Sequence, residues 1–491
     1  MLAVVSALWI NPSKITPPHQ AYLVDLQQSM LLLEGCSLLA TFDDQNRELH
    51  DVDILIRGGL VAEIGSGLRN RLSLPADVAY LDCRNALVMP GFVNVHHHLF
   101  QSLTRVAPEA QNVGLFDWLR TNYQVWQHHT RETLRAAARL SFAELLLSGV
   151  TTTTDHHYLF PTAQSADWWD ETIFAARDLG IRFHATRGSM TLGVDDGGLP
   201  PMSLVESTDR VLADYARVME TYHSSDPTAM TRIALAPCAP FNVSEDLFRE
   251  TARLAEQYDV LLHTHLAETD DETAYCLERF GCRPLDYIAR LGWESHRVWL
   301  AHCVTLNTEE IRRFADQGIG VAHCPSANAR LGSGVAPIKA MLEAGVRVGI
   351  GVDGSSSNDS GSFGKELRLA FLLQRSAHGP DAVTARQMLR VATRGGASIL
   401  HNSRIGRLEV GSCADVQVIH LDRLEFAGGG SRDPLATVVF SGLDAPVDYS
   451  LVNGRFTVFE QRLANLSTTK VVNEANAATK TLYSHSTTPA R

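Results

Sequence analysis

The chain has 491 residues, 45% of them hydrophobic and 20% charged, so it is long enough for one large domain and a smaller partner. Its formal net charge is -12 with no long basic run, which excludes a nucleic-acid backbone as ligand, since phosphate binding needs clustered Lys and Arg. Its 8 cysteines form no CxxC pair and are too sparse for a disulfide scaffold, so free thiols and a cytoplasmic location are expected.

In chain order, residues 1–29 come first. Their apolar start, Met1 to Ile10, is too short to span a bilayer and lacks the basic opening of a signal peptide. They read as a leader outside the folded domains, without fixed structure. Residues 30–86 then carry short strands and hairpin turns around Gly58-Gly59, and residues 405–465 have the same texture, including the turn Asn453-Gly454. Both flanks are expected to fold together as one small β-sandwich domain. Residues 466–491, rich in Ser, Thr, Ala and Asn, read as a loose tail.

Between the flanks, residues 87–404 alternate apolar or β-branched runs with helical segments. The runs are 87–98, 151–157, 182–188, 231–239, 261–268, 298–304, 320–325 and 347–354. Such alternation means parallel pairing, and eight units predict an α/β fold, a (β/α)8 TIM-type barrel. A doubly wound sheet is the alternative, but no GxGxxG turn follows the first strand.

Ionisable residues recur where these runs end, which in a barrel is where catalytic groups sit. The first ends in His96-His97-His98. Residues two apart on a strand share a side, so His96 and His98 project together, as a divalent transition metal requires. The fifth carries His263, His265 and Glu268, the sixth His302, and the eighth Asp353. Each alone could be a satisfied core residue; together they point to a metal centre. His263 and His265 face the same way and compete as ligands.

The set Pro90-Gly91-Phe92-Val93-Asn94 into His96-x-His98, His265-Leu-Ala-Glu268, Ala301-His302-Cys303, His323-Cys-Pro-Ser-Ala-Asn328 and Gly351-Val-Asp353-Gly354 resembles the amidohydrolase superfamily, over about residues 30–465. Within it the chain is similar to the mononuclear aminohydrolase branch. That resemblance implies one divalent metal, zinc or Fe2+, on His96, His98, His265 and Asp353. The fourth run contains no Lys to be carboxylated as a bridge between two metals. The implied catalytic roles are Asp353 for the nucleophile's proton, Glu268 as proton shuttle to the substrate, and His302 as polarising group. His263 then lies one layer deeper in the barrel.

Four further residues are candidate substrate contacts. Gln101 offers an amide to a ring edge, or bonds only to backbone; Trp118 walls a flat ring, or packs a helix face. Arg187 meets a ring carbonyl, or sits in a structural ion pair. Cys238 accepts a ring N–H, or is inert packing. Residues 96–105, 115–119 and 236–241 resemble bacterial 8-oxoguanine deaminases, which are themselves similar to hydroxy-triazine aminohydrolases. The resemblance implies a purine-type small-molecule substrate, 8-oxoguanine going to urate and ammonia, and a homo-oligomer with no membrane or nucleic-acid partner. The competing substrates are hydroxy-triazines, guanine, S-adenosylhomocysteine and methylthioadenosine. A catalytically inactive barrel serving as an interaction protein would have lost ligands that this chain retains.

Overall fold

A computed structural model describes residues 30–74 and 78–485. Most of residues 87–404 form a closed barrel of eight parallel strands in chain order: Phe92–Asn94, Val150–Thr154, Arg182–Ser189, Thr231–Pro237, Leu262–Leu266, Val298–His302, Gly320–His323 and Arg347–Ile350. The eighth pairs with the first through Ile350 and Asn94, which closes the ring. The expected (β/α)8 fold is therefore observed. Helices cover the outside, as Arg131–Leu147 does between the first two strands, its start capped by the Thr130 hydroxyl accepting from Thr133 N–H.

The first expected strand, 87–98, is in fact two. Ala86–Pro90 belongs to a seven-stranded sheet outside the barrel, and Phe92–Asn94 enters the barrel. The turn between them sits at Gly91, where a Cβ would stand 2.1 Å from the Thr151 side chain. Only glycine lets the chain pass this close to the neighbouring strand.

The small domain joins both chain ends, as its texture predicts. A four-stranded sheet contains Met30–Cys36 and Val52–Arg57, and it faces the seven-stranded sheet. In the latter, Ala86–Pro90 pairs antiparallel with Val416–His420, so the N- and C-terminal flanks share one ladder. Leu33, Ile54, Val88, Val416 and Leu451 fill the space between the sheets. Asn453 and Gly454 both adopt left-handed backbone, as a two-residue hairpin turn demands.

Two expectations about the flanks are corrected. Residues 405–465 are not all sandwich: the helix Pro434–Phe440 packs on the barrel helix Phe363–His378, with the Phe440 and Phe371 rings 4.8 Å apart. Thr468–Ser484 is a helix, not a loose tail. Ala475, Ala478 and Leu482 form a stripe at helical spacing and pack on Ala136, Ala137 and Val125. Its small side chains made the segment look featureless, yet they permit close helix approach. The leader expected over residues 1–29 lies outside the described residues.

One buried ion pair ties the two domains together. Arg182, at the start of the third barrel strand, donates to both oxygens of Asp415 at 2.8 and 2.9 Å. It also donates to the carbonyls of Thr228 and Ala229, and Asp415 accepts the Asn453 N–H at 2.7 Å. Truncating one partner strands the other in a dry environment. Asp415→Ala should therefore lower unfolding free energy by about 3–5 kcal/mol. Denaturant titration checks this, and a loss below about 1 kcal/mol would show that the pair is replaceable by water.

Candidate active site

The strand ends converge as the barrel requires. His96 and His98 follow the first strand, His265 lies on the fifth, His302 ends the sixth, and Asp353 follows the eighth. His302 and Asp353 adopt left-handed backbone, φ 72° and 62°, unusual for side-chain-bearing residues. Such strain is tolerated where surrounding packing holds it, and it clusters at functional sites.

The hydrogen bonds of the imidazoles determine where their protons lie. His98 Nδ1 is 2.7 Å from the His156 carbonyl oxygen, and His265 Nδ1 is 2.7 Å from that of Cys238. A carbonyl only accepts, so both Nδ1 atoms donate. His263 Nδ1 likewise donates to the Trp299 carbonyl at 2.8 Å. Its Nε2 is then an acceptor, and His96 Nδ1, at 2.8 Å, donates to it. Burial, opposed by the adjacent Asp353 carboxylate, lowers the His96 pKa to about 3, so the ring stays neutral. Burial holds His265 and His263 neutral as well.

With Nδ1 protonated, each Nε2 carries a lone pair, and these lone pairs face one another. His98 Nε2 is 3.1 Å from His265 Nε2 and 3.2 Å from Asp353 Oδ1. His96 Nε2 is 3.4 Å from the same oxygen and has no hydrogen-bond partner. Three imidazole Nε2 atoms and a carboxylate oxygen, all buried, meet here, and burial holds the His96 and His265 rings neutral. Repulsion of this kind is relieved by a cation, and the donor set of nitrogen and carboxylate oxygen suits a divalent transition metal. The residues therefore fit the expected group. Asp353 is oriented by Gly354 N–H at 2.6 Å and the Ser357 hydroxyl at 3.1 Å. His263, the rival ligand, is the layer below and sets the tautomer of His96.

A pocket opens beside this cluster. It encloses about 370 Å³, its mouth included, and its walls include Gln101, Trp118, Cys238, Glu268, His302 and Asp353. Glu268 is buried; burial, and then the charge of Asp353, raise its pKa to about 8. His302 Nδ1 donates to Asn328 Oδ1 at 2.9 Å, which leaves its Nε2 lone pair 3.6 Å from Glu268 Oε2. Trp118 walls the pocket while its indole N–H donates to the Ser356 carbonyl. Gln101 donates to the Tyr158 hydroxyl at 3.3 Å, and its Oε1 has no partner.

Arg187 is not in this pocket. It is wholly buried in an ion-pair cluster, donating to Glu206 at 2.8 and 2.9 Å and to Asp214 at 2.7 Å, with its guanidinium over the Phe160 ring. The expectation that it contacts substrate is thereby corrected: two carboxylates already use its donors. Sequence reasoning missed His156, Tyr158, Asn242, Asn328 and Ser357. His156 stood in Asp155-His156-His157 at the end of the second run, the same ionisable strand-end signal that marked the others. It stacks on His265 with ring centroids 4.3 Å apart. Tyr158, Asn242 and Ser357 lie in loops whose placement no periodicity encodes, and Asn328 lies in the short helix Pro325–Arg330.

A closed parallel barrel with this strand-end cluster defines a metal-dependent hydrolase. The Amidohydrolase family model matches residues 87–457, and the chain belongs to that family. It is 43% identical to the 8-oxoguanine deaminase of Pseudomonas aeruginosa over 87% of this chain and 95% of that protein. It is 38% identical to the hydroxydechloroatrazine ethylaminohydrolase of a Pseudomonas species, over 86% of this chain and 90% of that one. Among solved structures it is similar to the atrazine chlorohydrolase of Arthrobacter aurescens complexed with zinc. The TM-score is 0.86 and identity 38%, covering 91% of this chain and all of that one, 100%. The protein is an enzyme, a deaminase or aminohydrolase of this family.

The lone-pair geometry makes a direct prediction. His98→Ala removes one of the facing nitrogens, so metal content by plasma mass spectrometry should fall well below one equivalent and activity should vanish. Full metal content in that variant would overturn the ligand assignment. Chelation of the unmodified protein should lower its melting temperature, because a bound ion stabilises only the folded state.

Proposed function

We propose that the protein is a zinc-dependent deaminase of 8-oxoguanine, converting 8-oxoguanine and water to urate and ammonia. The observation that carries this reading is the acceptor-rich pocket wall. Gln101 Oε1 and Asn242 Oδ1 are buried without partners, and Cys238 Sγ lies beside them in the same wall. 8-Oxoguanine carries N–H at both nitrogens of its five-membered ring, whereas guanine carries one. A site of unpaired acceptors favours the substrate with the extra donor and penalises the one that leaves an acceptor unpaired. The relative in Pseudomonas aeruginosa bearing this activity supports the same reading.

In this mechanism His96, His98, His265 and Asp353 hold the metal. When bound, the ion supplies Lewis acidity and lowers the pKa of water in the site to near neutrality. Glu268, protonated below about pH 8, donates to the ring nitrogen beside the amino-bearing carbon. Asp353 takes a proton from the attacking water. His302 presents its Nε2 lone pair to that water and orients it, with Asn328 holding the ring. As the C–N bond breaks, the proton on Asp353 leaves with the amine as ammonia, and the remaining hydroxyl proton returns to Glu268. Both carboxyl groups end as they began.

Glu268→Gln keeps the shape and removes the shuttle. It should retain metal and lose about 10²–10⁴-fold in kcat. In the unmodified enzyme kcat/KM should fall as pH rises through about 8, because the acid form of Glu268 is lost there. A loss of tenfold or less in Glu268→Gln would mean another group carries the proton.

Cys238→Ala should lower kcat/KM for 8-oxoguanine by roughly ten- to a hundredfold, the cost of one lost partner for a buried polar group, and guanine turnover should change much less. Equal losses on both would reduce Cys238 to packing. The substrate reading itself is tested by comparing 8-oxoguanine, guanine and hydroxy-triazines with metal-loaded protein. The similarity to the hydroxydechloroatrazine enzyme makes the triazine the alternative. Preference for a hydroxy-triazine would overturn the purine reading and leave the hydrolytic chemistry in place.

A further inference from the structure

Asn242 lies in the turn after the fourth barrel strand, Thr231–Pro237, and is fully buried. Its backbone is pinned. The N–H groups of Thr191 and Leu192 donate to its carbonyl at 2.9 and 3.0 Å, and its own N–H donates to Ala239 at 3.0 Å. Its side-chain amide is also held in one orientation. Tyr123, itself fully buried, directs its hydroxyl proton to Met190 Sδ at 3.6 Å, so its oxygen is free to accept. Asn242 Nδ2 donates to that oxygen at 3.2 Å and to Cys238 Sγ at 3.5 Å. Both amide hydrogens are thus used.

The consequence is an amide oxygen with nothing to accept from. Asn242 Oδ1 is buried and unpartnered, in a residue that lines the pocket beside Cys238. An unmet acceptor in a buried site is destabilising, and the cost is recovered when a ligand donor arrives. We infer that Asn242 is a specificity-determining residue whose Oδ1 accepts an N–H of the substrate's five-membered ring, as the second acceptor alongside Cys238 Sγ. This rests on the 8-oxoguanine reading and deepens it. Two acceptors match a ring with two N–H donors, and guanine can satisfy only one of them. The chain Met190–Tyr123–Asn242–Cys238 then acts as a fixed rail that keeps both acceptors turned to the base.

The test is Asn242→Leu, nearly the same shape without either polar group, assayed on 8-oxoguanine and guanine with metal content measured on the same preparation. The expected result is full metal content and a loss of roughly ten- to a hundredfold in kcat/KM for 8-oxoguanine, carried mainly by KM. Guanine turnover should change less than about threefold, since either of its five-ring nitrogens can carry the single proton and meet whichever acceptor remains. Equal losses on both substrates, or no loss on 8-oxoguanine, overturn the inference. If Asn242→Leu does not fold, the unmodified enzyme serves. Analogues of 8-oxoguanine with CH2 replacing one five-ring N–H should each bind at least tenfold more weakly as competitive inhibitors, and undiminished binding of both overturns the inference. Absence of 8-oxoguanine turnover by the unmodified enzyme overturns the substrate reading and the inference together. Turnover with unselective losses in the variant overturns the inference alone.

Discussion

The site depends on one electrostatic constraint: three imidazole Nε2 atoms and a carboxylate oxygen are forced together at the mouth of the barrel. Each Nε2 lacks a proton because each Nδ1 has been made a donor, by the carbonyls of His156 and Cys238 and by His263. Backbone carbonyls at strand ends thus decide the chemistry of side chains on neighbouring strands. Without a cation the cluster is repulsive, and burial closes the other escape, protonation, by holding His96 and His265 neutral. Folding pre-forms a hole for positive charge.

The scaffold is built to bear that strain. Left-handed backbone at His302 and Asp353 is accompanied by side-chain bonds, from His302 to Asn328 after the next strand and from Ser357 to Asp353 within its own loop. Buried carboxyl groups surround the centre. Glu272 accepts the Glu268 N–H at 2.9 Å, and Glu366 accepts from Ser326 and Asn358. Burial raises their pKa values to about 7 and about 8, so they add less negative charge at neutral pH than exposed carboxylates while still fixing backbone. The sandwich domain contributes at a distance, through Arg182 and Asp415, by anchoring the third strand.

Much of this was legible because it follows local rules. The strand–helix alternation announced the barrel, the i, i+2 spacing of His96 and His98 announced a shared face, and the turns at Gly58-Gly59 and Asn453-Gly454 announced hairpins. The misreadings came where local pattern is silent. Arg187 ends up between Glu206 and Asp214, 19 and 27 residues away, and nothing at Arg187 itself signals that pairing. The stripe in Thr468–Ser484 is mostly alanine, so its composition concealed a buried face. The lack of any polar residue from 87 to 93 hid the change of sheet at Gly91.

What the sequence alone determined is the fold class and the inventory of reactive groups at strand ends, because side-chain period and strand order are local and the barrel puts strand ends in one place. The shared face of His263 and His265 left both as ligands and the family resemblance selected His265; in the fold one bonds to the Trp299 carbonyl below and the other reaches the centre. The substrate wall is likewise a tertiary product. Tyr123 comes from the helix Leu115–Trp126, Cys238 and Asn242 from the loop after the fourth strand, and the Asn242 amide bonds to both of the others. Hydrogen-bond direction is a property of the assembled network, so it exists only once the chain has folded.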